Sequence, residues 1–180
     1  MATLRKANAY SKRKVTPFTR VSKKRQKSYI KTVPPQKIVK FDMGKSADFR
    51  DNKFKYILTI VTTEKVQIRH NALEACRQFI NKAVNRDTSG QYFFKVVPFP
   101  HHIQREHKML TGAGADRMSS GMQLSFGKCV GKSAIMKKNS KVFIVAVSTQ
   151  KAAAFARKTI KQVRSKLPCQ LKILEEVKKE

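Results

Sequence analysis

The run Phe54-Lys55-Tyr56-Ile57-Leu58-Thr59-Ile60-Val61-Thr62 constrains the fold more than any other stretch of the chain. β-branched and aromatic side chains at this density suit a pleated, packed surface, so residues 54–62 are predicted to form a central strand. The apolar period then changes. Ile68, Ala72, Leu73, Cys76, Phe79, Ile80, Ala83 and Val84 recur at three-to-four spacing, one stripe of a helix over 68–85. Arg69, Glu74, Arg77 and Lys82 fall on its opposite face.

The same patterning places the remaining elements. Residues 38–43 read as a short strand ended by Gly44, residues 92–99 as another, and 124–135 as a glycine-punctuated strand region. Lys137-Lys138-Asn139-Ser140 supplies a turn into a strand at 141–147. Ser148 or Thr149 can cap a second helix, whose stripe is Ala152, Phe155, Ala156, Ile160 and Val163, and Leu167-Pro168 stops it. Cys169, Leu171 and Ile173 alternate in a last strand. Strands interrupted by two amphipathic helices predict an α+β fold, a mixed or antiparallel sheet with both helices on one face. At 180 residues, this fits one domain without internal repeats.

Charge limits the partners. Forty Lys and Arg stand against eleven Asp and Glu, a net charge of +29. Such an excess repels itself in a compact state and attracts polyanions, nucleic acid foremost. No segment reaches the roughly 18 apolar residues of a spanning helix, nor is there a signal-peptide core near Met1, so a membrane partner is not expected. Cys76, Cys129 and Cys169 are odd in number and form no C-x-x-C pair, which supports neither a zinc ribbon nor a disulfide framework. A reducing, cytoplasmic setting follows, with Cys76 and Cys169 as small buried hydrophobes.

Residues 1–37 carry twelve basic residues and no acid, including Lys12-Arg13-Lys14, Arg20 and Lys23-Lys24-Arg25, with Tyr10, Phe18 and Tyr29 interleaved. Lacking a steady period, this stretch reads as a basic arm without its own core, ahead of a single domain over 38–180. A solvated tail is the plainer reading of such a charge run. The aromatics favour RNA, since they can stack on bases while the cations meet phosphates.

Between Phe99 and Ser133 lies a stretch with a basic, histidine-bearing entry, a small-residue centre and a basic exit. Gly112-Ala113-Gly114 lets the backbone turn or approach a partner closely, although a surface linker has the same composition. Two nucleotide motifs fail by spacing. Gly131-Lys132-Ser133 ends a phosphate loop whose first glycine would fall at Phe126, and Arg117 stands where the third glycine of a dinucleotide fingerprint belongs. His70, His101, His102 and His107 form no H-E-x-x-H, and the acids are too scattered for a triad or paired-carboxylate site. No enzyme activity, cofactor or metal is therefore expected. His101, His102, Arg105, Lys108, Lys128 and Lys132 are read as donors to a sugar-phosphate backbone, and His70 as a structural residue at the helix start.

The words Gln67-Ile68-Arg69-His70-Asn71-Ala72-Leu73-Glu74-Ala75, Pro100-His101-His102, Lys108-Met109, Thr111-Gly112-Ala113-Gly114-Ala115-Asp116-Arg117 and Phe126-Gly127-Lys128 occur in this order. Val33-Pro34, Lys37-Ile38-Val39 and Phe41-Asp42-Met43-Gly44 precede them. From about Tyr10 to its end, the chain resembles the universal large-subunit ribosomal protein family numbered sixteen in bacteria and ten-e in archaea and eukaryotes. The resemblance implies a two-layer hammerhead-like domain and a ribosome-associated structural role. Its partners would be large-subunit rRNA, neighbouring ribosomal proteins and tRNA in the intersubunit cleft, with no obligate homo-oligomer. A loop at about 100–121 would reach toward the peptidyl-transferase region, with Thr111, Gly112, Ala113, Gly114, Ala115, Asp116 and Arg117 facing tRNA.

Two words depart from the family pattern. Ala9-Tyr10-Ser11 replaces a common Cys-Tyr-Arg, and Gly127-Lys128-Cys129 replaces Gly-Lys-Pro, freeing one φ angle after the loop. Ending at Glu180, without the longer tail of many eukaryotic relatives, leans the reading toward an archaeal source. The alternative function is a non-ribosomal RNA-binding assembly or chaperone factor. Either way, if about ten cations meet phosphates, log K for RNA should fall against log salt with a slope near −7 to −9 in a filter-binding series. A slope near zero would reject phosphate neutralisation as the source of affinity.

Overall fold

The computed structural model describes residues 6–12, 30, 32–106 and 128–178. In chain order the elements are β1 (Asp42–Gly44), α1 (Ser46–Arg50), β2 (Tyr56–Thr62), β3 (Val66–Arg69), α2 (His70–Thr88), β4 (Tyr92–Val96), β5 (His102–Glu106), β6 (Lys128–Met136), β7 (Lys141–Val147), α3 (Gln150–Val163) and β8 (Leu171–Val177). A 3-10 turn, Arg164–Lys166, follows α3.

The fold is α+β, and every strand pairing among the described residues is antiparallel. The expected single sheet is two sheets, ordered β1-β4-β7-β2-β8 and β3-β6-β5. The division occurs at a corner. β2 pairs with β7, and beyond the bend their continuations β3 and β6 pair with each other. Thr62 fastens that corner: its N–H donates to Ser140 O at 3.1 Å, its hydroxyl to Lys137 O at 2.8 Å, and its carbonyl accepts from Asn139 N at 2.8 Å. The 137–140 turn expected from sequence is thus bonded to the strand beside it.

β2 is central, as expected. Leu58 and Ile60 join Phe94, Val96, Val145 and Val147 in the main core with Leu73, Cys76 and Ile80 of α2 and Ala153, Ala156 and Ile160 of α3. Alternate residues face the other way, where Ile57, Phe93 and Ala146 pack with Phe54. Phe49 of α1, an element without a sequence signal, stacks on Phe93 at 4.2 Å between ring centroids. A bulge interrupts the central ladder, because Ile60 pairs with Phe143 but Val61 with Lys141, leaving Val142 as the extra residue.

Helix α2 starts at His70 rather than 68, because Val66–Arg69 pairs with β6 before the chain turns helical. Ile68 fits the helical stripe but is a buried strand residue. The polar face read on α2 is also partly inward. Glu74 is 9% exposed and accepts from Arg77 Nε at 2.7 Å, Arg77 Nη2 at 2.6 Å and Gln78 Nε2 at 3.0 Å. Arg77 Nη1 also reaches Met43 Sδ at 3.2 Å, so this pair ties β1 to the helix. Helix α3 starts where expected, with Thr149 Oγ1 accepting from Ala152 N at 3.3 Å. β4 stops at Val96, short of 99, while β8 runs to Val177. Cys76 and Cys169 are buried.

Gly44 holds a φ of +81°, and a Cβ there would run into the Tyr92 carbonyl, which itself accepts from Lys45 N at 2.8 Å. Gly44→Ala should therefore lower the unfolding free energy by more than about 2 kcal/mol. Thr149→Ala, which removes only a cap, should lower it by about 1 kcal/mol. Equilibrium denaturation of the three proteins checks both the sizes and their order.

Candidate nucleic-acid interface

The small sheet gathers most of the described candidate residues. Its middle strand, β6, places Ser133 between Arg69 of β3 and His102 of β5, and Gly131 opposite Gln104. Gln67, His102, Gln104 and Ser133 are all buried, with the Ser133 hydroxyl donating to Gln67 Oε1 at 3.2 Å. Strand alternation thus gives this sheet a polar interior row. Gly131 has a packing reason to be glycine: a Cβ there would sit 3.0 Å from His70 Nε2. Gly131-Lys132-Ser133 lies within a strand, not at a strand-to-helix turn, so these residues form no phosphate-binding loop.

Around this row stand cations. Lys12 and Lys128 are exposed, while Arg105 and Lys132 are half-buried. The N-terminal segment docks on the outer edge of β3, with Ser11 O accepting from Gln67 N at 2.8 Å and Lys6 O from Arg69 Nη2 at 3.4 Å. Ile30 is fully buried against Ile103, with Cys129 beside them. Parts of the arm, read as having no core of its own, are therefore seated on the small sheet. Apart from Glu106, β3, β5 and β6 contain no acid. Elsewhere several acids are paired, among them Asp48 with Lys53 at 3.0 Å, Asp42 with Lys95 at 3.5 Å and Glu175 with Arg157 at 3.1 Å.

Not every candidate histidine faces outward. His101 is exposed, with its Nδ1 3.2 Å from Phe99 O, but His102 is 2% exposed inside the small sheet. His102 opens β5 and its ring is among the buried polar residues of the small sheet, whereas His101 precedes the strand. His70, read as structural, is likewise 2% exposed. Burial pushes the pKa of His70 down to about 4, helped by the positive charges of Lys37, Arg69 and Lys132. His102 is also lowered to about 4, by burial and then by His101.

The charges of Lys37, Arg69 and Lys132 all act on His70; Arg69 was not among the candidate residues, and Lys37 entered the sequence reading only as the last cation of the arm. Lys37 and Lys132 are far apart in the chain and share no motif, so only the folded sheet brings their charges onto one ring. Arg13, Lys14, Arg20, Lys23, Lys24, Arg25, Lys108 and residues 111–117 lie outside the described residues. Glu106 and Lys128, which flank residues 107–127, are register partners, so this segment is rooted in the small sheet. Among the described residues no His, Cys, Asp and Glu cluster could hold a metal, and no helix is long and apolar enough to cross a membrane.

A sequence model of the family described as ribosomal protein L16p/L10e matches residues 17–174. The large ribosomal subunit protein uL16 of Methanoculleus marisnigri is 43% identical over 152 residues, covering 84% of this chain and 86% of the relative. Its counterpart in Archaeoglobus fulgidus is 43% identical over 162 residues, 89% and 86% of the two chains. That of Saccharolobus islandicus is 37% identical over 150 residues, 82% of each.

Both buried rings have folded pKa values below the ordinary 6.5, so the unfolded chain binds protons that the native chain refuses. Their contribution to stability is whole above about pH 6.5 and is lost as pH falls toward 4. The unfolding free energy should fall through that window with a slope approaching two protons, and approaching one in His102→Gln. Denaturation curves at successive pH values, with NMR titration of the imidazoles, measure both.

Proposed function

The chain belongs to the ribosomal protein L16p/L10e family, and on that premise we propose that it is a structural constituent of the large ribosomal subunit, bound to large-subunit rRNA and to neighbouring ribosomal proteins. The observation that carries this reading is the small sheet, whose strands hold Arg69, Arg105, Lys128 and Lys132 with Glu106 as their one acid. Lys12 flanks it, and Lys37 adds its charge at His70. Such a field suits phosphates of folded RNA. Together with the basic arm at 1–37, the sheet anchors the protein in a cytoplasmic ribosome.

The finer reading follows from the loop's root. Residues 107–127 connect β5 and β6, whose flanking residues Glu106 and Lys128 are register partners. Thr111 to Arg117 then reaches toward tRNA and the peptidyl-transferase region, positioning RNA and performing no bond chemistry. The two sheets and helices correspond on this reading to the hammerhead arrangement of the family.

Anchor and loop are separable by mutation. Replacing Gly112 to Arg117 with a short serine linker should leave the protein in large subunits but slow peptide synthesis per occupied subunit. Changing Lys23, Lys24 and Arg25 together to Ala should instead lower occupancy. Quantitative mass spectrometry of salt-washed subunits and translation rates measure the two effects. If the loop variant loses occupancy as the arm variant does, with normal activity per occupied subunit, the loop is only another anchor. If wild-type protein leaves large subunits in a high-salt gradient, the structural-constituent reading fails in favour of a dissociable RNA-binding factor.

A further inference from the structure

Helices α2 and α3 run antiparallel: Asp87 and Thr88 share a cleft with Thr149 and Lys151, while Lys166, beyond the end of α3, lies over the Phe79 ring. Between them on the outer surface is a second cleft of about 390 Å³, floored by Phe79, Ala83 and Phe155. Phe79 is 38% exposed although its ring is large and apolar. Lys82, Arg86 and Lys158 rim the cleft, Gln162 stands at its edge, and none of its lining residues is acidic. Each helix supplies a Phe followed three residues later by a Lys, Phe79 with Lys82 and Phe155 with Lys158, so aromatic plane and cation share a face on both walls.

We propose that this cleft receives one unpaired RNA nucleotide, its base stacked on Phe79 and its flanking phosphates held by Lys82, Arg86 and Lys158. The inference rests on the ribosomal reading and adds a second RNA contact to it. Phe79 lies nine residues along α2 from His70, roughly 14 Å from the small-sheet end of that helix. An aromatic face offers sequence-tolerant stacking, Lys and Arg neutralise the backbone, and the Gln162 amide carries both a donor and an acceptor for a base edge. An acidic amphipathic helix would be drawn by the same charge. Its row of apolar anchors, however, asks for a continuous apolar strip, whereas this floor is two rings and a methyl group interrupted by cations.

The test compares a labelled, unstructured pentauridine with an abasic oligomer of equal phosphate number, by fluorescence anisotropy at raised salt. Wild-type protein should bind the uridine oligomer roughly 5- to 30-fold more tightly. Phe79→Ala and Phe79→Leu should abolish that preference, the leucine variant retaining apolar volume so that a folding defect is not the cause. Lys82→Gln with Lys158→Gln should weaken both oligomers alike, and ultraviolet cross-linking should place uridine on the peptide containing Phe79. Equal wild-type affinity for both oligomers, or an unchanged preference in Phe79→Leu, overturns the proposal. So does an acidic amphipathic peptide that binds wild type but not Phe79→Leu without competing with pentauridine, which would assign the cleft to a protein. Wild-type retention in salt-washed large subunits separates the two readings: retention without Phe79 dependence sinks only the cleft, and loss of retention sinks the ribosomal reading.

Discussion

Everything else in this structure depends on the burial of α2 and α3 against one face of the five-stranded sheet. A chain with a net charge of +29 gains little from ion pairing and must offset its self-repulsion by burying apolar surface. Fully buried Leu58, Ile60, Leu73, Ile80, Phe94, Phe143 and Val145 supply that surface, each side chain on the order of 1.5–3 kcal/mol. The alanines of α3 matter as much. Ala152, Ala153 and Ala156 are buried, and their small side chains let α3 approach the sheet and α2 closely, leaving long cationic side chains such as Lys151 and Lys158 outside.

The corner at Thr62 carries the consequence of that core outward. β2 and β7 belong to the layer under the helices, while their continuations β3 and β6 form the small sheet with β5. Bonds from Thr62 to Lys137, Asn139 and Ser140 fix the bend at one residue, so the two sheets are held through their shared strands rather than through a flexible linker. The segment between β5 and β6 is rooted in that same ladder.

Much of this was legible in the sequence because periodicity reports burial. The run at 54–62, the α3 stripe with its Thr149 cap, and the strand at 141–147 are each set by side chains within a few residues of one another. The misplacements share a physical cause. Ile68 satisfies a helical and a strand pattern at once, and pairing of residues 66–69 with β6, a contact across more than sixty residues, decides for the strand. One sheet was expected where two exist, since alternation reveals a strand but not its partner. Glu74 and Arg77 looked like a solvated face because a buried ion pair has the same composition as an exposed one. At the site, chemistry-bearing residue types could be read but orientation could not: His101 and His102 are neighbours in sequence and face opposite environments. Lys37 could be read as the last cation of the arm, but not as a neighbour of His70 and Lys132.

The distribution of charge explains how a cationic surface coexists with a stable fold. Asp42, Asp48, Glu74 and Glu175 each pair with a neighbouring cation, so the few acids lower repulsion where no polyanion is invoked. On the small sheet the compensation is different. Placing charged imidazoles beneath Lys37, Arg69 and Lys132 would add repulsion to desolvation, and burial instead keeps His70 neutral at physiological pH. A neutral ring still offers a donor and an acceptor to a polar interior, so the row of Gln67, His102, Gln104 and Ser133 fills the sheet without adding to the field. Four basic residues against one acid on β3, β5 and β6 repel one another in the isolated chain. Phosphates would relieve that repulsion, which couples anion binding to stability.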